Sequence, residues 1–203
     1  MVSIRTRSNE GAEHICGGTL IHVDTVLTAA HCLHDTLIIN GKPHRMKIGI
    51  SRLLVATGGH YLNRSLPGET VHTVAHVHIH PKFSVVDAAN FDYDIALVFL
   101  REAAHATAAV QPACVAGEQM HMRMHDPDTK SSCFVIGWGD DPYDREAGQT
   151  NELRYRRVPL LDAETCTSSE LSSAAWKTGF KPSRFGQHNR RSMRTHLFCV
   201  ILY

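Results

Sequence analysis

No apolar run in this sequence approaches the roughly 18 residues that a membrane-crossing helix requires. The opening stretch, MVSIRTRSNE, has no apolar centre and no small-residue cleavage site, so it is not a signal peptide. Net charge is almost absent: 21 lysines and arginines face 20 aspartates and glutamates, for a formal charge of +1. A chain so balanced has no overall pull toward nucleic acid or an anionic membrane. No two cysteines form a C-x-x-C pair, which argues against a zinc site of ordinary spacing. No internal repeat is visible. Helical pattern is scarce, limited to a short turn over residues 28–33 and a short helix over residues 162–173.

What is present suits a globular, strand-rich protein. The 203 residues are 43% hydrophobic and 20% charged, ordinary proportions and length for one large domain or two small ones. Short apolar runs at 14–22, 46–57, 71–79, 95–100, 133–138 and 153–160 predict strands. Turn residues separate many of them, as at Asn40-Gly41, Gly58-Gly59 and Pro67-Gly68. Such spacing predicts an all-β barrel or sandwich. The six cysteines, Cys16, Cys32, Cys114, Cys133, Cys166 and Cys199, suit a disulfide framework in an oxidising compartment. Asn63-Arg64-Ser65 is a glycosylation sequon, meaningful only in a secreted protein.

Two stretches carry chemistry. Gly17-Gly18-Thr19-Leu20 leads through an apolar segment to Leu27-Thr28-Ala29-Ala30-His31-Cys32. An imidazole titrates near neutrality, so His31 can take a proton from a hydroxyl and return it later. Cys16 lies near enough in sequence for a bridge to Cys32 that would pin the loop holding His31. The second stretch is Phe91-Asp92-Tyr93-Asp94-Ile95-Ala96-Leu97-Val98, with an acid set directly before an apolar strand. A carboxylate there is partly buried and needs a donor, and a histidine N–H is a fitting one.

ICGGTLI followed by VLTAAHC, then FDYDIALV, then CFVIGWG, resembles the trypsin and chymotrypsin family of serine endopeptidases. VSIRT, IHPKF and Gln111-Pro112-Ala113-Cys114 also resemble family segments, so the likeness covers most of the chain. It implies the trypsin-like double antiparallel β-barrel, with residues 1–110 forming a nearly complete first barrel and 111–203 a partial second one. It implies His31 as general base and Asp94 as the group that orients it, with Asp92 the nearest rival. It implies disulfides Cys16–Cys32 and Cys166–Cys199, leaving Cys114 and Cys133 unpaired. The implied partner is a protein or peptide substrate, with no cofactor, no metal, no nucleic acid and no membrane. The implied setting is a secreted monomer.

The family's nucleophile stands in a Gly-Asp-Ser-Gly-Gly segment, and no such string occurs here. Ser131, Ser132, Ser168 and Ser169 do not sit in glycine-flanked turns that would expose a hydroxyl. Met1 falls inside the stretch that follows the family's Ile-Val-Gly-Gly-like start. The resemblance therefore implies a chain truncated at both ends and inactive as written. The alternative is a non-catalytic binding module using its basic end. Residues 171–203 hold no acid, and the stretch 177–194 is especially basic, most simply a solvated loop.

The chain also has 15 histidines. If residues 71–79 form a regular strand, His72, His76, His78 and His80 share one face, opposite Thr73, Ala75, Val77 and Ile79. That face reads as polar and solvent-facing rather than metal-binding. His121 and His125 read as part of a loop.

Overall fold

Branched apolar side chains favour extended backbone because they pack well on a pleated surface. The computed structural model describes residues 1–86, 90–115, 133–139, 151–158 and 199–201. Within these, strands dominate: β1 (Val2–Ser8), β2 (Gly11–His22), β3 (Thr25–Thr28), β4 (His34–Ile39), β5 (Lys42–Lys47), β6 (Leu53–Thr57), β7 (Thr70–Ile79) and β8 (Ala96–Leu100). Later come β9 (Cys133–Gly137), β10 (Arg154–Val158) and β11 (Cys199–Ile201). Two short 3-10 turns, Ala30–Leu33 and Ile50–Arg52, are the helical elements among the described residues. The segment 162–173 lies outside them.

Six strands close a barrel in the order β1-β2-β3-β8-β7-β6, every pair antiparallel. Closure occurs because β1 pairs with β2 on one side and with β6 on the other. A closed barrel leaves no unpaired edge. Its centre is built from Val2, Ile4, Val26, Leu53, Val55 and Val98, all fully buried. Each such side chain contributes about 1.5–3 kcal/mol of apolar burial, before the entropy of ordering it. β8 shows the pattern plainly: Ala96, Val98 and Leu100 are buried, while Leu97 and Phe99 are only partly so.

The single strand expected over 46–57 is corrected. β5 ends at Lys47, a 3-10 turn follows, and β6 begins at Leu53. The backbone explains the break: Ile48 N–H donates to the Leu33 carbonyl at 2.8 Å, and Arg52 N–H to the Gly49 carbonyl at 2.9 Å. Those donors are spent outside a ladder. Before the break, β4 and β5 form a hairpin of their own. Asn40 and Gly41 take φ of 51° and 74°, the backbone of a type I′ turn, which Asn-Gly favours.

The shared face of the four histidines is also corrected. The β7–β8 register slips between Val74 and His76. A bulge adds one residue and reverses which side chains face inward. His72 and Val74 are therefore buried, whereas His76 and His78 are exposed. His72 Nε2 lies 3.1 Å from Thr57 Oγ1 inside the barrel wall. His76 instead stacks on Phe99, ring centroids 4.1 Å apart.

Beyond the barrel, β9 lies between β10 and β11 in a three-stranded antiparallel sheet. It is joined to the barrel at the β6–β7 loop. His60 carbonyl accepts from Trp138 Nε1 at 3.0 Å and from Leu153 N–H at 2.8 Å. Leu62 N–H donates to Asn151 at 2.8 Å. Trp138 is buried there and meets the His14 ring edge-on, 5.4 Å between centroids. His14 in turn bonds Ser3 at 2.8 Å, and Arg5 reaches both Ser3 at 3.1 Å and Glu69 at 2.8 Å. No helix among the described residues is long and apolar enough to cross a membrane.

Gly18 of β2 lies against both β1 and β3. A Cβ there would lie 2.7 Å from Val26 Cγ1 and 3.1 Å from Val2 Cγ2. Gly18→Ala should lower unfolding free energy by about 1–3 kcal/mol in urea titration, since both neighbours are core side chains.

Burial holds the His72 imidazole below its ordinary value of 6.5, only partly opposed by Glu102, with His105 adding to the lowering. Burial also lowers His34, aided by Arg45 and Lys47 and opposed by the Ala30 carbonyl and Asp94. Below the ordinary value the unfolded chain binds protons that the folded chain refuses. Stability is therefore full above that value and falls as pH drops through it toward the lower folded values. Chemical denaturation from pH 7.5 to about 5 should show this slope, and His72→Gln should flatten it.

Candidate functional site

The register of β3 on β8 builds the site. Thr28 pairs with Ala96, so the end of one strand adjoins the start of the other. His31 follows Thr28 by three residues, and Asp94 precedes Ala96 by two. The two side chains therefore converge. Asp94 Oδ1 accepts the His31 backbone N–H at 2.8 Å, and Oδ2 lies 2.5 Å from His31 Nδ1. A carboxylate only accepts, so the proton between them belongs to Nδ1. That tautomer leaves the ring's acceptor lone pair on Nε2. Both side chains are mostly buried, 24% and 17% exposed, so the pair is shielded yet reachable.

Local chemistry presents His31. Ala30 and Leu33 are fully buried, which turns the 3-10 segment inward at both ends. Alanines at 29 and 30 are small enough for that close approach. Cys32 is joined to Cys16 of β2 by a disulfide, Cα atoms 5.9 Å apart. Thr28 Oγ1 donates to the Gly17 carbonyl at 2.9 Å, binding the same two segments again.

Asp94 is held by an unusual turn. Ile95 N–H returns to the Tyr93 carbonyl at 2.7 Å, a γ-turn centred on Asp94. Tyr93 takes a φ of 58°, a left-handed conformation costing a non-glycine residue about 1 kcal/mol. Its ring stacks on His80 at 4.7 Å, with Lys82 Nζ 5.3 Å from the same ring. His80 N–H donates to the Ile95 carbonyl at 3.1 Å. These contacts offset the strain. Asp92 does not meet His31; its N–H donates to Asn90 Oδ1 at 2.7 Å.

Two further residues shape the site and were not singled out by sequence. Phe91 packs edge-to-face on the His31 ring, centroids 5.4 Å apart at 87°. Arg45, from the separate hairpin, lies over Phe91 and Phe83. In Lys42-Pro43-His44-Arg45-Met46-Lys47 nothing marks one basic residue as buried. Phe91 opens the stretch FDYDIALV, but its partner depends on the fold.

The other expected residues fall as follows. Cys114 is exposed and outside any disulfide among the described residues. Asn63 is exposed in the β6–β7 loop. Cys166, His121, His125, the four serines and the basic stretch 177–194 lie outside the described residues. Cys133 and Cys199 lie on the neighbouring strands β9 and β11, while the expected Cys166–Cys199 pairing involves a residue outside the described ones. Cys16, Cys32 and His31 bring donor atoms within 4.8 Å of one another. Both sulfurs are spent in the disulfide, and only a thiolate binds a metal well.

The family model for trypsin matches residues 1–186. The chain belongs to the trypsin family. Among curated relatives, this trypsin-family chain is 27% identical over 177 residues to chymotrypsin-like elastase family member 1 of Bos taurus and 28% to that of Rattus norvegicus. Each alignment covers 87% of this chain and 58% of the relative. It is 29% identical over 165 residues to transmembrane protease serine 5 of Homo sapiens, covering 81% of this chain and 32% of the relative. The chain thus spans a little over half the length of the two elastase-family relatives. The closed barrel and the mostly-strand structure agree with the trypsin-like double β-barrel.

The disulfide beside His31 closes a 16-residue separation. Replacing both Cys16 and Cys32 with serine should cost about 3 kcal/mol in guanidinium unfolding. Reducing agent should destabilise the unaltered chain by at least as much, and the double variant by less.

Proposed function

We propose that the chain carries the proton-transfer half of a serine-type endopeptidase site. The observation that carries this reading is the two-point contact of Asp94 with His31, through the ring Nδ1 and the backbone N–H. Asp94 fixes the tautomer and stabilises the imidazolium that forms when Nε2 takes a proton. Nε2 then suits removal of a proton from a nucleophilic hydroxyl and its delivery to the leaving amine. The substrate class is a protein or peptide, hydrolysed through an acyl-enzyme. A secreted setting is supported by the disulfide. In that setting Asn63 is accessible as a glycan acceptor. We place the division between the two barrel halves near Gln111.

The nucleophile must come from a Gly-Asp-Ser-Gly-Gly segment, and the 203 residues contain none. The chain as written therefore lacks the serine that this mechanism acylates. A fluorophosphonate probe should leave the purified 203-residue protein unlabelled; stable labelling that vanishes in His31→Ala would overturn that part of the reading. The transcript tests the rest. It should encode the missing segment in frame, and its product should hydrolyse a peptide amide. His31→Ala in that product should lower kcat by roughly 100- to 10,000-fold. A product that carries the segment and is indifferent to His31 would sink the peptidase reading.

A further inference from the structure

We propose that Arg45 is a positioning residue for the His31–Asp94 pair, acting from the β4–β5 hairpin on the segment 90–94. Its guanidinium is sandwiched, with its carbon 4.6 Å from the centroid of Phe83 and 4.7 Å from that of Phe91. Nη1 donates to the carbonyls of both Ser84 and Asn90 at 2.7 Å. Its backbone N–H donates to the Val85 carbonyl at 3.1 Å. The residue is only 7% exposed. A buried guanidinium held by carbonyls and aromatic faces ties together whatever supplies them, because losing a partner would leave a buried charge unpaired.

Two routes lead from Arg45 to the pair. Through Phe91 it sets the ring that stands edge-on to the His31 imidazole at 5.4 Å. Through Asn90 it sets the backbone whose side chain caps Asp92 N–H, directly before the strained Tyr93 and Asp94. The hairpin has its own hold on the histidine side. His34 pairs with Lys47, Ile48 N–H donates to the Leu33 carbonyl at 2.8 Å, and His34 Nδ1 donates to the Ala30 carbonyl at 2.8 Å. The hairpin that carries Arg45 thus joins the element carrying His31 to the segment leading to Asp94. Arginine suits the task because its planar fork donates in its plane while both faces stack. The positioning role rests on His31 being the proton carrier proposed above; the clamp itself does not.

The test is amide hydrogen exchange on the full 203-residue protein, which needs no turnover. The His31 amide is closed by Asp94, so it reports whether the aspartate turn holds its place. In Arg45→Gln the His31 amide should exchange about tenfold faster, while the ladder amides of Val55 and Val98 keep their rates. Arg52→Gln, at an exposed pair with Asp35, should change neither. If Arg45→Gln does not fold, Arg45→Lys takes its place with a smaller acceleration in the same direction. An unchanged His31 rate, or acceleration shared equally by Val55 and Val98, would overturn the proposal. Failure of the peptidase reading would leave these rates untouched, so the two outcomes separate.

Discussion

Asp94 reaches His31 because β3 and β8 pair with Thr28 beside Ala96. Antiparallel pairing brings the exit of one strand next to the entrance of the other. Residues just beyond each end then meet whatever the distance between them along the chain. A one-residue slip in this register would turn the core side chains outward and separate the pair together. Val26 and Val98 are fully buried on these strands. The same apolar burial that stabilises the barrel therefore holds the site in register.

Around that junction the chain accepts local costs that its neighbours offset. Tyr93 sits in left-handed backbone, and its ring is held by His80. Arg45 is a buried cation whose donors meet carbonyls and whose faces meet aromatic rings. Arg5 and Glu69 form a largely buried ion pair, and Ser3, His14 and Trp138 continue the polar chain toward the second sheet. Buried polar groups of this kind contribute little net stability. They restrict which arrangements are acceptable, because displaced partners stay buried and unsatisfied.

His31, Asp94 and the Cys16–Cys32 spacing were legible because each belongs to a short, contiguous motif. The barrel strands were legible for the same reason, through local runs of branched side chains between turn residues. The break before β6 was not, because it depends on Ile48 bonding to Leu33 rather than continuing a ladder. The histidine pattern in β7 misled because period-two reasoning assumes an unbroken pleat. The bulge near Ala75 is set by pairing with β8, which the strand's own residues do not announce. Arg45 was invisible for a third reason: its burial requires Phe83 and Phe91 to arrive from a distant loop.

By itself, then, the order of residues determined the family and the strand-rich class, and it singled out the motifs that hold His31 and Asp94. Those depend on residue type and near spacing, which are local properties. Folding in three dimensions decided which carboxylate oxygen meets which imidazole nitrogen, which histidines turn inward and which arginine braces the turn. Those depend on register and on contacts between segments far apart in the chain, where geometry rather than composition selects the partner.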